Sequence, residues 1–345
     1  MKYCKVCSID LAKNSFQICL LDQDNKVIKN RKVTRAKLLD FLRQLPTDII
    51  VAMEACSSAH YWARQCQKLG FAKILLVPAQ HVKPFVGKQK NDANDARAIG
   101  EAAQRPNLYP VPIKSIEQQD IKLLRSNRER WVKERTRLVN HFRGHCAEYG
   151  VIIPKGITLF RKRLPELLEC ADNELSTVMR AQLAEGYEEL IRLDEKIASL
   201  ESQLNALCSQ REDYQRLVQI PGIGPMNAAA MLSEIGDGSQ FESGRHYAAY
   251  CGLVPRQHSS GDRSMSGSIT KAGNRQLRTL LVHSARTLTR YMVERDDRLS
   301  RWVQGIIARR GKNKAAVALA NKLARICWAV LRHERTYNAS LATGA

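Results

Sequence analysis

The run Tyr3-Cys-Lys-Val-Cys-Ser-Ile-Asp10-Leu-Ala-Lys-Asn-Ser15-Phe-Gln-Ile-Cys-Leu-Leu21 contains two apolar segments separated by a polar break. Such segments predict β-strands over residues 3–9 and 15–21, and a third strand over residues 26–33 follows a turn-rich connection. Three strands joined by short connections form a meander. Asp10 stands where the first of these strands ends.

Helix and strand patterns alternate beyond this meander. Residues 36–44 and 59–69 predict helices, 49–53 and 74–77 predict buried strands, and 91–104 predict a closing helix. The order β-β-β-α-β-α-β-α predicts an α/β domain with one mixed sheet and helices on its faces. Prolines at positions 106, 110 and 112 then interrupt the pattern, so we place a domain boundary after residue 110.

The rest of the chain predicts helices. Residues 115–149 form a strongly basic helical pattern. Apolar residues then recur at alternating spacings of three and four, as in a coiled-coil seam: Leu190, Leu193, Ile197, Leu200, Leu204 and Leu207. This seam could pair within one subunit, as a helical hairpin, or between subunits. The predicted domains are therefore residues 1–110 (α/β), 111–212 (basic helical and coiled-coil) and 213–345 (mainly α), the last with Gly-rich turns.

The charge of the chain is strongly positive. Lys and Arg number 55 against 34 Asp and Glu, a net charge of +21, which favours a polyanionic partner such as nucleic acid. No apolar run approaches the ~20 residues that span a bilayer, and the amino terminus lacks a signal-peptide pattern, so we expect a cytoplasmic protein without a membrane partner. The ten cysteines are scattered in apolar contexts, which favours reduced thiols.

Four acidic residues occupy positions that the predicted topology could bring together. Asp10 ends the first strand and Glu54 the fourth, while Asp92 and Asp95 lie three apart at the start of the closing helix. Taken singly, each could end a strand or cap a helix. Grouped carboxylates repel one another unless divalent cations neutralise them, and Mg²⁺ prefers oxygen ligands. The four acids therefore predict a Mg²⁺ (or Mn²⁺) site for phosphoryl transfer.

Two motifs in the last third could contact nucleic acid. Residues 217–228 predict a helix-hairpin-helix whose glycines turn backbone N–H groups toward a phosphate, or a plain turn between packed helices. Ser259 and Ser260 precede Gly261 among many cations, which suits an exposed nucleophile, although serine and glycine also populate flexible loops. The predicted nucleic-acid contacts are Gly222, Gly224, Arg256, Lys271, Arg275, Arg278, Arg125, Arg128 and Arg135.

Three segments carry a resemblance to a known family: Ser8-Ile-Asp10-Leu-Ala-Lys13, Met53-Glu54-Ala55 and Lys90-Asn-Asp92-Ala-Asn-Asp95-Ala-Arg97. They resemble the ribonuclease H-like (RuvC-like) domain of the DEDD-type transposases of bacterial insertion sequences, the IS one-ten and IS eleven-eleven family. Residues 250–278 resemble the C-terminal domain of the same family. Asn91 stands where the family often has Thr.

This resemblance implies a function and a set of site residues. It implies that Asp10, Glu54, Asp92 and Asp95 bind the metal ion while Ser260, the serine that precedes glycine, attacks the scissile phosphate. It further implies a DNA transposase or recombinase that cuts and rejoins DNA, a structured guide RNA, and a homo-oligomer (dimer or tetramer).

Two other classes of function fit the same residues. A RuvC-like, structure-selective DNA nuclease of the Holliday-junction type would use the acids and a metal-activated water, without a serine nucleophile. A non-enzymatic nucleic-acid-binding protein would need neither the acids nor the serine. Substitution of Ser260 separates the nuclease from a transposase, and joint substitution of Asp10 and Glu54 separates the binding protein from both.

Overall fold

The structure, a computed structural model, describes residues 4–87, 91–106, 108–260 and 263–340, without the side chains of residues 258–260, 263, 264 and 266. The chain forms two compact units, which meet in sequence between Ser115 and Ile116. The predicted regions 111–212 and 213–345 lie almost entirely within the second of these units, so residue 212 marks no division between compact units.

A five-stranded mixed sheet forms the centre of the first unit. Its strands are β1 (Val6–Asp10), β2 (Ser15–Leu21), β3 (Val27–Thr34), β4 (Ile50–Glu54) and β5 (Lys73–Val77). The strand order is β3-β2-β1-β4-β5. The meander β1-β2-β3 is antiparallel, whereas β4 pairs in parallel with both β1 and β5. This confirms the mixed sheet predicted from the order of the elements.

Helices cover both faces of this sheet. They are α1 (Leu38–Leu42), α2 (Ala59–Lys68), α3 (Ala79–Val82) and α4 (Asp92–Ala103), with 3₁₀ turns at Arg35–Lys37 and Lys83–Phe85. One face packs against α1 and α2 around Phe16, Leu38 and Trp62. The other face packs against α4, where Ala52 meets Ile99 in a second core. Because side chains alternate along each strand, every strand residue is assigned to one of these two faces.

Nine helices and one β-hairpin are described in the second unit. They are α5 (Ile116–Glu148), α6 (Ile157–Glu169), α7 (Thr177–Cys208), α8 (Glu212–Val218), α9 (Pro225–Ile235), α10 (Gly244–Tyr250), β6 (Pro255–Ser260), β7 (Arg263–Ile269), α11 (Arg275–Met292), α12 (Arg298–Arg310) and α13 (Lys312–Arg332). One hydrophobic core joins α5 and α7, through Ile121 and Leu204, to α9 and α13, through Met231 and Leu319. This shared core explains why residue 212 does not divide the unit.

The two long helices α5 and α7 pair within the chain. Arg128 of α5 contacts Glu201 of α7 at 2.6 Å, and Arg135 contacts Asp194 at 2.7 Å. Residues further along α5 contact residues earlier in α7, so the two helices are antiparallel. Most of the apolar seam of α7 is buried against this chain: Leu190, Leu193, Ile197 and Leu204. The structure therefore has the helical hairpin, one of the two alternatives for the seam. Among the described residues, no helix is long and apolar enough to cross a membrane.

Candidate active site

Asp10 and Glu54 end neighbouring strands side by side. Ile9 pairs with Met53 across the parallel strands β1 and β4, so the next residue of each strand stands at the same level. Neighbouring strands lie about 4.8 Å apart. Both acids are partly exposed. Burial raises the pKa of the Cys56 thiol, and the charges of Glu54 and Asp10 raise that pKa further, so both carboxylates act on one thiol.

Both acids point to the sheet face that α4 covers. Asp10 follows Ser8 by two residues, and Ser8 points at α4, where a Cβ on Gly100 would lie 2.8 Å from its Oγ. Glu54 follows Ala52 by two residues, and Ala52 belongs to the core beneath α4. The two carboxylates therefore share one end and one face of the sheet.

Helix α4 runs antiparallel to β1 across this face. Gly100 packs on Ser8 near the middle of β1. Four residues later, the side chain of Gln104 donates a hydrogen bond to Asn25, in the turn beside the first residues of β1. Residues before Gly100 therefore approach the end of β1, where the acids stand.

The first turn of α4 reaches the level of Asp10. Ser8 and Asp10 lie about 6.6 Å apart along the strand, a distance that about four helical residues span. The position four residues before Gly100 is next to Asp95. Asp92 lies about one helical turn closer to the N-terminus of α4. By this count Asp95 and Asp92 lie toward the end of the sheet where Asp10 and Glu54 stand, and a single site formed by the four acids stays a prediction.

The N-cap of α4 is Asn91 rather than an acid. The Asn91 side chain accepts a hydrogen bond from the backbone N–H of Asn94 at 2.8 Å. Asn and Thr both serve at this position because their side-chain oxygens accept from the first turn of a helix. Asp92 and Asp95 are therefore not the capping residues, although their charges are favourable near a helix N-terminus.

The four acids do not form a closed coordination shell. Across the described residues, no three His, Cys, Asp or Glu side chains converge closely enough to hold a metal ion. As a donor set the acids nevertheless fit Mg²⁺ or Mn²⁺, which prefer hard oxygen ligands. The negative charges of these carboxylates repel one another. A bound cation would neutralise that repulsion and let the side chains move closer together.

Ser260 is the last residue of β6, and its backbone pairs with Arg263 of β7. It therefore stands at the tip of a β-hairpin, residues 255–269, which we call the serine hairpin. The sequence predicted a loop here; the structure has a strand. The side chain of Ser260, and residues 261 and 262 of the turn, lie outside the described residues.

Two glycines hold the base of the serine hairpin. A Cβ on Gly273 would overlap the carbonyl oxygen of Tyr250, and a Cβ on Gly252 would overlap that of Ala272. Both glycines have positive φ, 76° and 67°. Arg278 also stabilises the base of the hairpin, because its guanidinium donates to the carbonyl oxygens of Cys251 (3.0 Å) and Ala272 (3.2 Å).

The cations predicted around this hairpin divide into two groups. Arg256, Lys271 and Arg275 are exposed. Arg278 is partly buried, and its guanidinium is engaged by the two carbonyl oxygens. Three of the four predicted cations therefore present their charge to solvent near Ser260 in sequence, while the fourth stabilises the hairpin base.

The three arginines predicted on α5 are engaged inside the second unit. Arg125 is 5% exposed and donates to the Ser233 hydroxyl at 2.8 Å, and burial lowers its pKa. Arg128 and Arg135 bind Glu201 and Asp194 of α7. These three guanidinium groups hold helices of the second unit together, and the phosphate contacts predicted for them stay a prediction.

The glycines of the 217–228 motif differ in their surroundings. A Cβ on Gly222 (φ 82°) would lie 2.5 Å from Leu288 Cδ1, so this glycine permits close packing of the turn on α11. Gly224 is the N-cap of α9, and no atom lies within 4 Å of its would-be Cβ. Gly224 therefore leaves room for a phosphate at a helix N-terminus, whereas Gly222 has a packing role; the helix-hairpin-helix stays a prediction.

The sequence reasoning missed a cationic segment in the first unit. Six exposed cations lie on and beside the edge strand β3, and we call them the basic edge: Lys26, Lys29, Arg31, Lys32, Arg35 and Lys37. The charge pattern of the sequence could have revealed this segment, because no acidic residue stands between Asp24 and Asp40.

The chain is similar to known transposases over nearly its whole length. Residues 214–300 match a family model described as "Transposase IS116/IS110/IS902 family", and residues 7–150 match a DEDD model of the IS110 type, described as "Transposase". The transposase for insertion sequence element IS1111A of Coxiella burnetii is 43% identical over 98% of this chain and 92% of its own. A probable family 20 transposase of Pseudomonas aeruginosa is 45% identical over 95% and 97%. The transposase for IS1328 of Yersinia enterocolitica is 38% identical over 93% and 95%.

Proposed function

Because this chain belongs to the IS116/IS110/IS902 family of DEDD transposases, enzymes of DNA transposition, we propose a specific chemistry for it. In this proposal Asp10, Glu54, Asp92 and Asp95 bind divalent cations, and Ser260 is the nucleophile that cuts and rejoins DNA. The observation that supports the proposal is that Asp10 and Glu54 share one end and one face of the sheet, and that α4, which carries Asp92 and Asp95, covers this face.

The acids act by holding cations next to the scissile phosphate. A bound Mg²⁺ or Mn²⁺ would neutralise the negative charge that builds on the phosphate and on the leaving oxygen. Asp10 and Glu54 are fixed by the ladder between β1 and β4, whereas Asp92 and Asp95 are carried by α4. Ligands on rigid elements favour a reproducible geometry at the phosphate.

Ser260 acts by displacing one DNA strand end from phosphorus. Its Oγ forms a bond to phosphorus as one phosphodiester P–O bond breaks; the serine proton passes to solvent, and the released DNA oxygen leaves as a hydroxyl after taking up a proton. The reverse step with a different DNA hydroxyl rejoins the strands. The exposed cations Arg256, Lys271 and Arg275 support this role, since they can stabilise charge on a phosphate.

The remaining parts of the proposal concern partners and location. Exchange of two strands requires more than one nucleophile, which favours a homo-oligomer, a dimer or a tetramer. The family resemblance implies a structured guide RNA in addition to DNA, and the net charge of +21 suits either polyanion. All ten cysteines are free, which fits the reducing cytoplasm.

The proposal is tested by substitution of Ser260 with its neighbour as the control. Full-length protein with its co-purifying RNA, Mg²⁺ and labelled element ends should give a covalent protein–DNA adduct and joined products. Ser260→Ala should lose both, and Ser259→Ala should keep both. Cleavage to free ends by Ser260→Ala would instead identify a nuclease, and recombination by Asp10→Asn/Glu54→Gln would remove the metal ion from the mechanism.

A further inference from the structure

The basic edge presents its charge without partners of opposite sign. All six of its cations are exposed, and within the described part of the chain none of them takes part in an ion pair. The cations of α5 differ: Lys133 binds Glu129 at 2.6 Å and Arg137 binds Glu134 at 2.7 Å. Unneutralised cations so close together repel one another, and a polyanion relieves that repulsion.

Two arginines of the basic edge are held in place by aromatic rings. Arg31 lies 5.6 Å from the centre of the Phe41 ring. Arg35 lies 5.2 Å from the Trp62 ring and 5.8 Å from the Phe16 ring. Cation–π contacts of this kind restrict a long side chain, so less entropy is lost when the guanidinium binds a phosphate.

One residue of the basic edge, Lys32, stands level with Asp10. Lys32 pairs with Gln17 of β2, and Gln17 pairs with Asp10 of β1, so the three residues stand at one level. They also share one face: Asn30, two residues before Lys32, donates to the carbonyl oxygen of Ala93 in α4. Lys32 therefore stands level with Asp10, two strands away on the same face, whereas Arg31 and Arg35 pack against rings on the face that α1 and α2 cover.

Protection of an edge strand is the alternative explanation. Lysines on exposed edge strands prevent pairing with other chains. That role concerns charges on the strand itself, whereas the basic edge extends past both ends of β3, from Lys26 to Lys37. Edge protection also does not explain why Lys32 stands level with Asp10.

We propose that the basic edge binds the phosphate backbone of the DNA that enters the acid end of the first unit. This inference rests on the proposed function, because the acids are taken as the place where DNA reacts. The contacts are to phosphates, so the binding is independent of sequence. Each cation that pairs with a phosphate releases counterions, which makes the affinity dependent on salt.

The test compares two triple variants that remove the same charge. Lys26→Gln/Lys29→Gln/Lys32→Gln removes three lysines of the basic edge. The control, Lys133→Gln/Arg137→Gln/Arg192→Gln, removes three exposed cations that are already paired with Glu129, Glu134 and Glu188. Affinity of the full chain for a random duplex is measured in EDTA at several salt concentrations, with thermal melting of each variant as a check on folding.

The basic-edge variant should lose about 2.7 from the slope of log affinity against log salt, about 0.9 for each phosphate contact. Between about 50 and about 200 mM salt, the affinity of the wild type should then fall about 40-fold more than that of the variant. The control should keep the wild-type slope.

Three results would overturn the inference: an unchanged slope in the basic-edge variant, an equal loss in the control, or a loss seen with single-stranded RNA but not with duplex DNA. The proposed function fails separately, if Ser260→Ala still forms the covalent adduct. The basic edge fails separately, if the slope is unchanged while Ser260→Ala loses the adduct.

Discussion

Gly273→Ala should destabilise the base of the serine hairpin strongly. An L residue at the Gly273 φ of 76° costs about 1–2 kcal/mol. The new Cβ would overlap the carbonyl oxygen of Tyr250 and lie 3.0 Å from its carbonyl carbon, so backbone must move, at a cost of about 1–3 kcal/mol. That movement also strains the hydrogen bond from the Asn274 N–H to the Tyr250 carbonyl at 2.9 Å. The sum is about 4 kcal/mol.

The matched control is Gly305→Ala in the middle of α12. No atom lies within 4 Å of its would-be Cβ, so alanine should stabilise that helix by about 0.5–1 kcal/mol. Urea unfolding of the full chain, followed by circular dichroism, gives the midpoint and slope for each variant. We expect Gly273→Ala to unfold at much lower urea and to form less serine-linked DNA. The reasoning would be refuted if both alanine variants unfolded at the wild-type midpoint.

Three further predictions follow from buried or crowded groups. Asp10→Asn should lower the raised pKa of the Cys56 thiol, so more thiolate is present at pH 8 and alkylation is faster; an unchanged rate would mean that the carboxylate is remote from the thiol. Gly186→Ala should lower the melting temperature, because its Cβ would overlap the Phe142 ring between α5 and α7; a wild-type melting curve would contradict that packing. Arg125→Ala should lower the free energy of unfolding in urea by about 3 kcal/mol yet leave the salt dependence of DNA binding unchanged. A weaker salt dependence would instead show that Arg125 contacts DNA.

The first unit could be predicted well because its elements have strong local signals. Four of its strands are apolar runs of five to seven residues, and the order of a strand meander followed by alternating helices and strands predicts a mixed sheet. The positions of Asp10 and Glu54 at strand ends follow from the same pattern. The close approach of α4 to the sheet could not be predicted, because it depends on Gly100 packing against Ser8, a contact between distant residues.

The second unit was harder to predict for two physical reasons. Residues 256–260 of β6 are all polar, so the alternation of polar and apolar side chains that indicates a strand is missing there. The basic pattern of α5 suggested a free phosphate surface, but charge pattern alone does not reveal neutralisation by a distant helix. Asp194 of α7 binds Arg135 of α5 and Arg161 of α6, contacts that depend on how these three helices pack together.

Direct binding of Mn²⁺ to the full chain tests most sharply whether four distant acids serve one metal centre. Titration calorimetry would compare the wild type with Asp10→Asn, Glu54→Gln, Asp92→Asn and Asp95→Asn, and with Asp24→Asn as a control in the exposed β2–β3 turn. We predict that each of the four variants binds Mn²⁺ at least about tenfold more weakly and that the control binds as the wild type does. Wild-type affinity in Asp92→Asn and Asp95→Asn would contradict the account, because α4 would then contribute no ligand.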